Sequence, residues 1–493
     1  MLKNYFFATP PSNDSVLEEL SDEALETLTR LYPFPEHIER TPANFKRALI
    51  HKLPKTDLHV HGEAGFLMDV ALARKLAKRN KVLFPEELVD DKNTWKYRGK
   101  DNFLQFIADF LAISALICTP EDIEEVAYAF YRHCYDNNVI FALPGISWVQ
   151  CKDKMSFAAF NHAYNRALLR GMNDFGDVSI LRLRYYLERH IDDQILFDEI
   201  FNTLESNPNP FITTVGLAGG EENHPLKDFE AYYYALKNLR KAENAPWYFL
   251  TAHMEAYSDA NTIEQATDLL DWIAHGRNAA DSSDTIAKMK AQGMSFEICP
   301  LSDINVYPNE IPTLEAHHQL KILMSAGLVS LNSDDPGFFG SINDVYQEVF
   351  ENLPASFTEL LQCTERGVNP AAPHSLQEME RVKNKDYRNY MAIVKAGTLK
   401  IDFFRCYWAL LPMLTKDALD VNTAEKLLAI DLKTPLRELS LMEPLVENDA
   451  LLKKQLQQLI AIKRNIETLT QYIKSDTEAM YFTLDEGNKN LKI

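Results

Sequence analysis

Four histidines and one aspartate are the residues of this chain whose types and positions point most directly to chemistry. Each stands at the end of a short apolar run that is typical of a β-strand, and the five are His59, His61, His253, His275 and Asp334. The carboxyl ends of parallel strands meet at one rim of a barrel, where imidazoles and a carboxylate together would make a catalytic metal site.

The spacing of the first two histidines favours a shared ligand. Residues two apart in a strand point the same way, so His59 and His61 would face one ion. The alternative is a pair of histidines hydrogen-bonded in a core, and His253 and Asp334 at other strand ends favour the metal. Neutral imidazole and carboxylate suit Zn²⁺, although ligand type alone does not exclude a similar divalent ion. Zinc lowers the pKa of a bound water to roughly 7, which makes hydrolysis the natural chemistry.

Three further residues near these strand ends are candidates for proton transfer or substrate contact. His275 would orient or activate the attacking water, or it is satisfied by loop backbone. Glu255 would carry a proton, or it is a solvated loop acid. Asp335 would meet the substrate, or it caps the helix that begins at Pro336.

Eight apolar runs alternate with helical segments and predict the scaffold. They lie near residues 55–61, 139–147, 179–187, 211–217, 247–253, 271–275, 295–299 and 328–333. Repeated βα units imply parallel pairing with right-handed crossovers, and eight of them favour an α/β fold of the TIM-type (β/α)₈ barrel. A doubly wound open sheet is the alternative, but it would not bring five polar strand ends around one centre.

The segments outside the barrel are predicted to be helical. We expect an N-terminal helical segment at 1–50, the barrel at 51–345 and a long C-terminal helical extension at 346–493. Near the end of the chain, apolar residues follow one helical stripe, and they are Leu452, Leu456, Leu459, Ile462, Ile466, Leu469 and Ile473. A helix folded back on the barrel explains this stripe, and a homodimer contact through terminal helices is the alternative.

Composition limits the classes of function and location. With 493 residues and 46% apolar content, the chain can bury a large core. A net charge of −20 argues against a nucleic-acid partner. Six cysteines without a Cys-x-x-Cys pair indicate reduced thiols rather than a disulfide scaffold. Because no signal segment or long apolar run stands out, a cytoplasmic protein with no membrane partner is expected.

Six segments in order resemble the adenosine deaminase family of the amidohydrolase superfamily. They are PKTDLHVH at 54–61, VGLAGGE at 215–221, TAHME at 251–255, AHG at 274–276, FEICPLS at 296–302 and SLNSDDP at 330–336. Residues 102–106 also resemble the family's apolar region near the substrate entrance. The resemblance implies a small-molecule purine substrate and one Zn²⁺ per chain. Its implied metal ligands are His59, His61, His253 and Asp334.

The same resemblance implies roles around the purine. Glu255 would protonate the ring nitrogen beside the attacked carbon, and His275 would activate the water, with Asp334 sharing in catalysis. The residues implied for substrate contact are His61, Glu63, Gly219 and Asp335, with Asp335 on the imidazole side and the Gly219 N–H on another ring nitrogen. The implied reaction converts adenosine to inosine and ammonia by attack at C6.

The match also departs from the family pattern. Glu255 stands two residues after His253, where the family's acid stands three after its histidine. Glu63 replaces the aspartate that contacts ribose, and Asp303 replaces an asparagine. Substrates other than adenosine therefore stay open: adenine, an adenine nucleotide, an N6-substituted purine or another aminated heterocycle. A catalytically degenerate purine-binding or scaffold protein is the alternative of another class.

Overall fold

The architecture is a TIM-type (β/α)₈ barrel with further helices at both ends of the chain, as the sequence predicts. The computed structural model describes residues 17–63, 67–100, 102–190, 201, 204, 209–241, 246–255, 257–415 and 419–489. Residues 1–16 of the expected N-terminal helical segment therefore lie outside the described residues.

Ten strand segments occupy the eight barrel positions, because two positions are each divided in two. The strands are β1 (Lys55–His61), β2 (Val139–Ile146), β3 (Ile180–Leu181), β4 (Leu183–Glu188), β5 (Ile212–Ala218), β6 (Phe249–Leu250), β7 (His253–Met254), β8 (Ile273–His275), β9 (Phe296–Ile298) and β10 (Val329–Leu331). Arg182 separates β3 from β4, and residues 251–252 separate β6 from β7. All eight predicted strands are thus present.

Parallel pairing runs around the whole barrel. The strand order is β1-β2-β4-β5-β6 in one sheet and β10-β9-β8-β7 in the other. The two sheets meet where β7 continues the path of β6, and again where β1 meets the segment after β10. There, Asp334 N–H donates to the His59 carbonyl at 2.8 Å and His61 N–H donates to the Asp334 carbonyl at 3.1 Å. These hydrogen bonds close the barrel.

Helices cover the barrel and continue well beyond its last strand. The α-helices are α1 (Asp22–Leu31), α2 (Pro42–Lys52), α3 (Val70–Asn80), α4 (Phe103–Ser114), α5 (Pro120–Asp136), α6 (Phe157–Phe175), α7 (Glu230–Leu239), α8 (Ala260–Ala266), α9 (Ser283–Gln292), α10 (Pro300–Val306), α11 (His318–Ser325), α12 (Pro336–Phe339), α13 (Ile342–Asn352), α14 (Phe357–Val368), α15 (Pro373–Arg381), α16 (Lys385–Leu410), α17 (Val421–Leu428), α18 (Leu436–Met442) and α19 (Ala450–Lys489).

Local sequence explains where one of the crossover helices begins. The Thr119 side chain accepts from the Asp122 N–H, and the Asp122 side chain accepts from the Thr119 N–H. This reciprocal capping box satisfies donors that the first helical turn leaves unpaired, and Pro120 fits the first turn because it lacks an N–H. The helix α5 therefore begins where its sequence predicts.

The long C-terminal helix α19 packs against α16 and against the barrel. The Gln455 side-chain amide donates to the Cys406 carbonyl at 2.9 Å, and Arg182 donates to the Thr477 hydroxyl at 2.9 Å. The apolar stripe is almost wholly buried here, with Leu456 and Leu459 fully inaccessible to solvent. The chain itself therefore covers the stripe.

The structure also bears on the expected state of the cysteines and on the expected lack of membrane-spanning helices. All six cysteines are free, and all but Cys118 are buried. Within the described ranges, none of the helices combines the length and the apolar character needed to cross a bilayer.

We expect Leu459→Ala to lower the free energy of unfolding by about 2–5 kcal/mol, because it leaves a cavity in the interface between α19 and α16. Leu451→Ala is the matched control, since Leu451 lies on the same helix with 52% of its surface exposed. Denaturant unfolding of both variants measures the difference. Equal stability of the two would contradict the packing of α19 described here.

Candidate metal centre

Four of the sequence-predicted ligands meet at the carboxyl ends of their strands. The Nε2 atoms of His61 and His253 lie 3.2 Å apart, and His61 Nε2 lies 3.3 Å from the Asp334 Oδ1. His59 Nε2 lies 3.7 Å from the same carboxylate oxygen. The ligand atoms of His59, His61 and His253 lie within 4.8 Å of one another, and the Asp334 carboxylate lies against two of these rings; imidazole and carboxylate are donors that zinc sites use.

Contacts on the other ring nitrogens orient two of these imidazoles. His59 Nδ1 lies 3.2 Å from Glu297 Oε2, and His253 Nδ1 lies 2.9 Å from the Leu217 carbonyl oxygen. An acceptor at Nδ1 keeps the proton there and leaves Nε2 with its lone pair free. His59 Nε2 is buried and has no hydrogen-bond partner among the residues that the structure describes. A cation satisfies such an atom, so the residues fit a metal.

Burial further favours the ligating form of the imidazoles. It lowers the pKa of His59 and His253 well below the usual value, and it lowers the pKa of His61 to about 3. The cause is desolvation, which disfavours the charged form of each ring, and neighbouring positive groups add to it. Neutral imidazoles are the forms that bind zinc.

A buried ion pair lies beneath the His59 ring and holds its Glu297 partner in place. The Arg184 guanidinium donates to both Glu297 oxygens, one of them at 2.9 Å. The Trp272 indole N–H also donates to Glu297, at 2.6 Å. Because both charges are paired and hydrogen-bonded, this carboxylate can lie in the barrel core and orient His59.

A second cluster in the same place offers an alternative set of ligands. His59, His275, Cys299 and Asp334 also bring one ligand atom each within 4.8 Å of one another. Cys299 is fully buried, and its thiol already donates to the Glu297 carbonyl at 3.8 Å. His275 already pairs with a carboxylate. The set with His61 and His253 is therefore the better one.

His275 and Glu255 form a pair beside the metal ligands. His275 Nε2 lies 2.8 Å from Glu255 Oε1, and Tyr307 donates its hydroxyl to Glu255 Oε2. Burial opposes protonation of His275, but the Glu255 charge outweighs it and raises the His275 pKa to about 10. His275 Nδ1 is buried and lacks a partner within the described part of the chain. The pair therefore has one nitrogen available for a substrate or a water.

The loop that carries Glu255 is anchored by Glu221. Both Glu221 oxygens accept hydrogen bonds from this loop, from the backbone N–H groups of Glu255 and Tyr257 at 3.0 and 3.1 Å and from the Ser258 hydroxyl at 2.7 Å. This anchoring brings Glu255 to His275 despite the short spacing from His253. It also occupies Glu221, which leaves Glu255 as the acid next to the cluster.

The residues after β10 are held tightly to β1. Asp57 accepts from the Ser333 N–H at 3.0 Å, and Asn332 accepts from the Leu58 N–H at 2.7 Å. Asp334 adopts a φ of +60° and His275 a φ of +56°, a region that non-glycine residues seldom occupy. Such backbone persists only where neighbouring contacts impose it, and it aims both side chains into the rim.

The residues predicted to contact substrate lie around this rim. Asp335 is buried, and its Oδ1 has no hydrogen-bond partner in the described ranges. Glu63 is also buried and accepts the Ser147 N–H at 3.1 Å, while burial raises its pKa to about 8. Gly219 follows β5 with a φ of +94°, and a Cβ there would press on the His190 ring at 3.2 Å.

Aromatic side chains form an apolar wall over the cluster. Tyr186 stacks on His61 with ring centroids 5.0 Å apart, and Phe110 of α4 meets the same ring edge-on at 6.2 Å. Phe106 of α4 packs against Phe338 and Phe339 of α12 at 5.9 and 6.0 Å. A flat heterocycle would find stacking partners and little water between these elements.

Several of these functional residues escape sequence reasoning. Arg184 and Glu297 are charges inside apolar strands, and that anomaly is the signal that could have identified them. Tyr186 is an ordinary strand aromatic, Trp272 lies directly before β8, and Tyr307 carries no signal at all. Their roles depend on partners that are distant in the sequence.

Comparison with known proteins gives the same family that the motifs resemble. The family model described as adenosine deaminase matches residues 54–383. A curated adenine deaminase of Wolinella succinogenes is 27% identical over 322 residues, which cover 64% of this chain and 91% of that protein. One from Psychrobacter cryohalolentis is 28% identical over 325 residues, covering 64% and 90%.

Solved structures share the fold. An adenine deaminase from Arthrobacter aurescens has a TM-score of 0.56 at 21% identity and covers 67% of this chain and 98% of its own. An amidohydrolase from Burkhoderia ambifaria, with bound Zn, has a TM-score of 0.58 at 20% identity and covers 77% and 98%.

We expect Asp334→Asn to lose bound zinc, because the amide keeps the shape and tolerates the positive φ but removes the ligand charge. Zinc affinity should fall at least about 10²-fold, the upper range for losing even an outer partner of a ligand. Metal analysis after dialysis against a chelator measures it. Asp284→Asn, on the exposed face of α9, is the control. Full zinc retention in Asp334→Asn would exclude Asp334 as a ligand.

Proposed function

The chain belongs to the adenosine deaminase family, and we propose that it is a zinc-dependent hydrolase that removes the 6-amino group of a purine, with free adenine preferred over adenosine. The observation that carries this proposal is that His59, His61 and His253 lie within 4.8 Å of one another with Asp334 beside two of them, while the buried His59 Nε2 has no partner among the described residues. A bound metal would satisfy the His59 Nε2 atom, and membership of the family indicates that the reaction is a deamination.

The four ligands would hold one zinc ion at the carboxyl rim of the barrel. Zinc bound there supplies a Lewis acid that makes water nucleophilic at neutral pH. The protein's own contribution is orientation. Glu297 fixes the His59 ring and the Leu217 carbonyl fixes the His253 ring, so both present Nε2 to the same point.

Proton transfer is assigned to the pair of His275 and Glu255. His275, whose pKa the Glu255 charge raises, would orient the attacking water by donating a hydrogen bond from Nδ1, and it shares a proton with Glu255 through Nε2. The attacking water would give up one proton to the pair, and Glu255 would deliver a proton to the purine ring nitrogen next to C6. The second water proton would pass from the new C6 hydroxyl to the amino group, so that the C6–N bond breaks, ammonia leaves and C6 becomes a carbonyl. Tyr307 would hold the Glu255 carboxylate at the angle that this transfer needs.

Recognition of the purine is assigned to backbone and carboxylate groups on the rim. Asp335 offers a buried oxygen to an N–H on the imidazole side of the ring. The Gly219 N–H would donate to a ring nitrogen, since its glycine conformation lets a ligand approach the backbone closely. Tyr186 and the α4 wall would cover the two faces of the base.

Two observations favour adenine over adenosine, which is the substrate that the resemblance alone implies. The curated relatives with 27% and 28% identity are adenine deaminases. Glu63, at the position that meets ribose in the family, is buried and bound to the Ser147 N–H, so its carboxylate is less free to bind sugar hydroxyls. Burial raises the pKa of Glu63 to about 8, so charge repulsion by Glu63 does not exclude an adenine nucleotide, and the assay below includes one.

A catalytically degenerate binder or scaffold is the weaker candidate. Its support was the short spacing between His253 and Glu255. Because Glu255 contacts His275 across the rim at 2.8 Å, that spacing no longer separates the acid from the cluster.

We expect ammonia release from adenine with a kcat/KM on the order of 10- to 100-fold above that for adenosine, the usual range for a pocket mismatch. The assay panel is adenine, adenosine, adenosine monophosphate and N6-methyladenine, run with the zinc-loaded full chain. A preference for adenosine would overturn the substrate assignment. A zinc-loaded protein that releases ammonia from none of the four would overturn the proposed function.

We expect Glu255→Gln to lower kcat on the preferred substrate by about 10²-fold or more, because a general acid is lost. The zinc content should not change, since Glu255 is not a ligand. Steady-state kinetics with metal analysis measures both, and Glu438→Gln on exposed α18 is the control. Turnover at the wild-type rate would exclude Glu255 as the proton donor.

We expect Tyr307→Phe to lower kcat on the order of tenfold with little change in KM, because one hydrogen bond to a charged carboxylate is lost. Zinc content and thermal stability serve as readouts of the fold. A matching rise in KM with unchanged kcat would mean that Tyr307 shapes substrate binding instead.

A further inference from the structure

A second cavity lies at the opposite end of the barrel from the metal ligands. It has a volume of about 280 Å³ and is formed where β5 and β6 begin, against helices α15, α16 and α19. The strand β5 spans seven residues, so this cavity lies roughly 20 Å from the catalytic rim. The volume is near the lower end of ligand pockets, about 300–1,000 Å³.

Three polar side chains that line this cavity are each more than nine-tenths buried and each leave one atom unpaired. These atoms are Asn209 Nδ2, Trp247 Nε1 and the Tyr390 hydroxyl, and the structure gives none of them a partner among its described residues. Buried donors without an acceptor destabilise a fold, so three around one cavity indicate something in it that accepts hydrogen bonds.

The geometry of their neighbours shows that the three groups are held in place. Asn209 Oδ1 accepts the Phe211 N–H at 2.9 Å, which identifies Nδ2 as the free end of the amide. The Arg240 guanidinium lies over the Trp247 ring at 4.9 Å, and Phe249 packs on Tyr390 at 4.8 Å. Rigid donors of this kind favour one ligand geometry.

Another polar group at the same cavity provides a contrast. Asn389 also lines it, but its amide oxygen accepts from Arg182 at 3.0 Å and its nitrogen donates to Asp476 at 2.8 Å. Asn389 therefore has a structural role that needs no ligand. Among the residues that the structure describes, the three unpaired groups have no such partners.

The chemistry of the walls limits the ligand. Ile212, Phe249 and Ile393 provide apolar contact, and the Asp386 carboxylate on the wall disfavours an anion. The indole and amide groups only donate, so the ligand must supply acceptors. We propose that this cavity binds a neutral, planar heterocycle of one or two rings that carries carbonyl or ring-nitrogen acceptors. This site is independent of the proposed deaminase reaction.

The test is binding of uracil and hypoxanthine to the full chain, measured by saturation-transfer NMR and calorimetry. Trp247→Phe removes the indole N–H and keeps an aromatic ring, and Tyr390→Phe removes only the hydroxyl. Each should weaken the dissociation constant of at least one of the two ligands on the order of tenfold, the cost of one lost hydrogen bond. Thermal unfolding checks that both variants fold. If one of them does not fold, the other variant alone serves as the test.

Tyr407→Phe is the matched control, because Tyr407 is also a buried tyrosine of α16 and donates to the Leu428 carbonyl away from the cavity. It should bind both heterocycles as the wild type does. The proposal is overturned if the wild type binds neither at millimolar concentration or if binding is equal in all variants. A crystal soaked in the ligand that shows ordered water only in the cavity would also overturn it.

Discussion

Closure of the barrel and assembly of the metal ligands depend on the same hydrogen bonds. Asp334 N–H donates to the His59 carbonyl and His61 N–H donates to the Asp334 carbonyl, so the residues that join β1 to the segment after β10 are the ones proposed as ligands. A shift of one residue in this register would turn His59 and His61 away from the rim. The constraint explains why Asp334 keeps a φ of +60° that a free chain would avoid.

The ligands also depend on a polar layer inside the barrel. His59 is fully buried and can stay neutral and oriented because Glu297 accepts its Nδ1 proton, and Glu297 can be buried because Arg184 and Trp272 satisfy it. Arg184 of β4, Glu297 of β9 and Trp272, which lies directly before β8, thus set the direction of one imidazole nitrogen. Removing any one of them would leave a buried polar group without its partner.

Much of this arrangement follows from the sequence, for a physical reason. Strand ends of a parallel barrel lie on one rim whatever the intervening loops do, so histidines that end strands predict their own convergence. All eight strands were predictable from apolar runs, and the ligand cluster followed from their order. The pairing of Arg184 with Glu297 was not predictable, because they are 113 positions apart and only Glu297 lies in one of the matching segments.

The path of the loop after His253 also could not be predicted from the sequence. The short spacing to Glu255 suggested an impaired acid. The structure instead bends this loop onto Glu221, which brings the carboxylate to His275 and to the Tyr307 hydroxyl. The number of residues between His253 and Glu255 does not determine where the Glu255 carboxylate lies, because contacts from other parts of the barrel fix the path of the loop.

We propose that three histidines and Asp334 hold one zinc ion where β1 meets the segment after β10. X-ray absorption at the zinc edge tests it most directly, on the full chain loaded with one equivalent of zinc. The account predicts a first shell of nitrogen and oxygen at about 2.0–2.2 Å with an imidazole signature. A sulfur scatterer near about 2.3 Å would place Cys299 on the metal and contradict it.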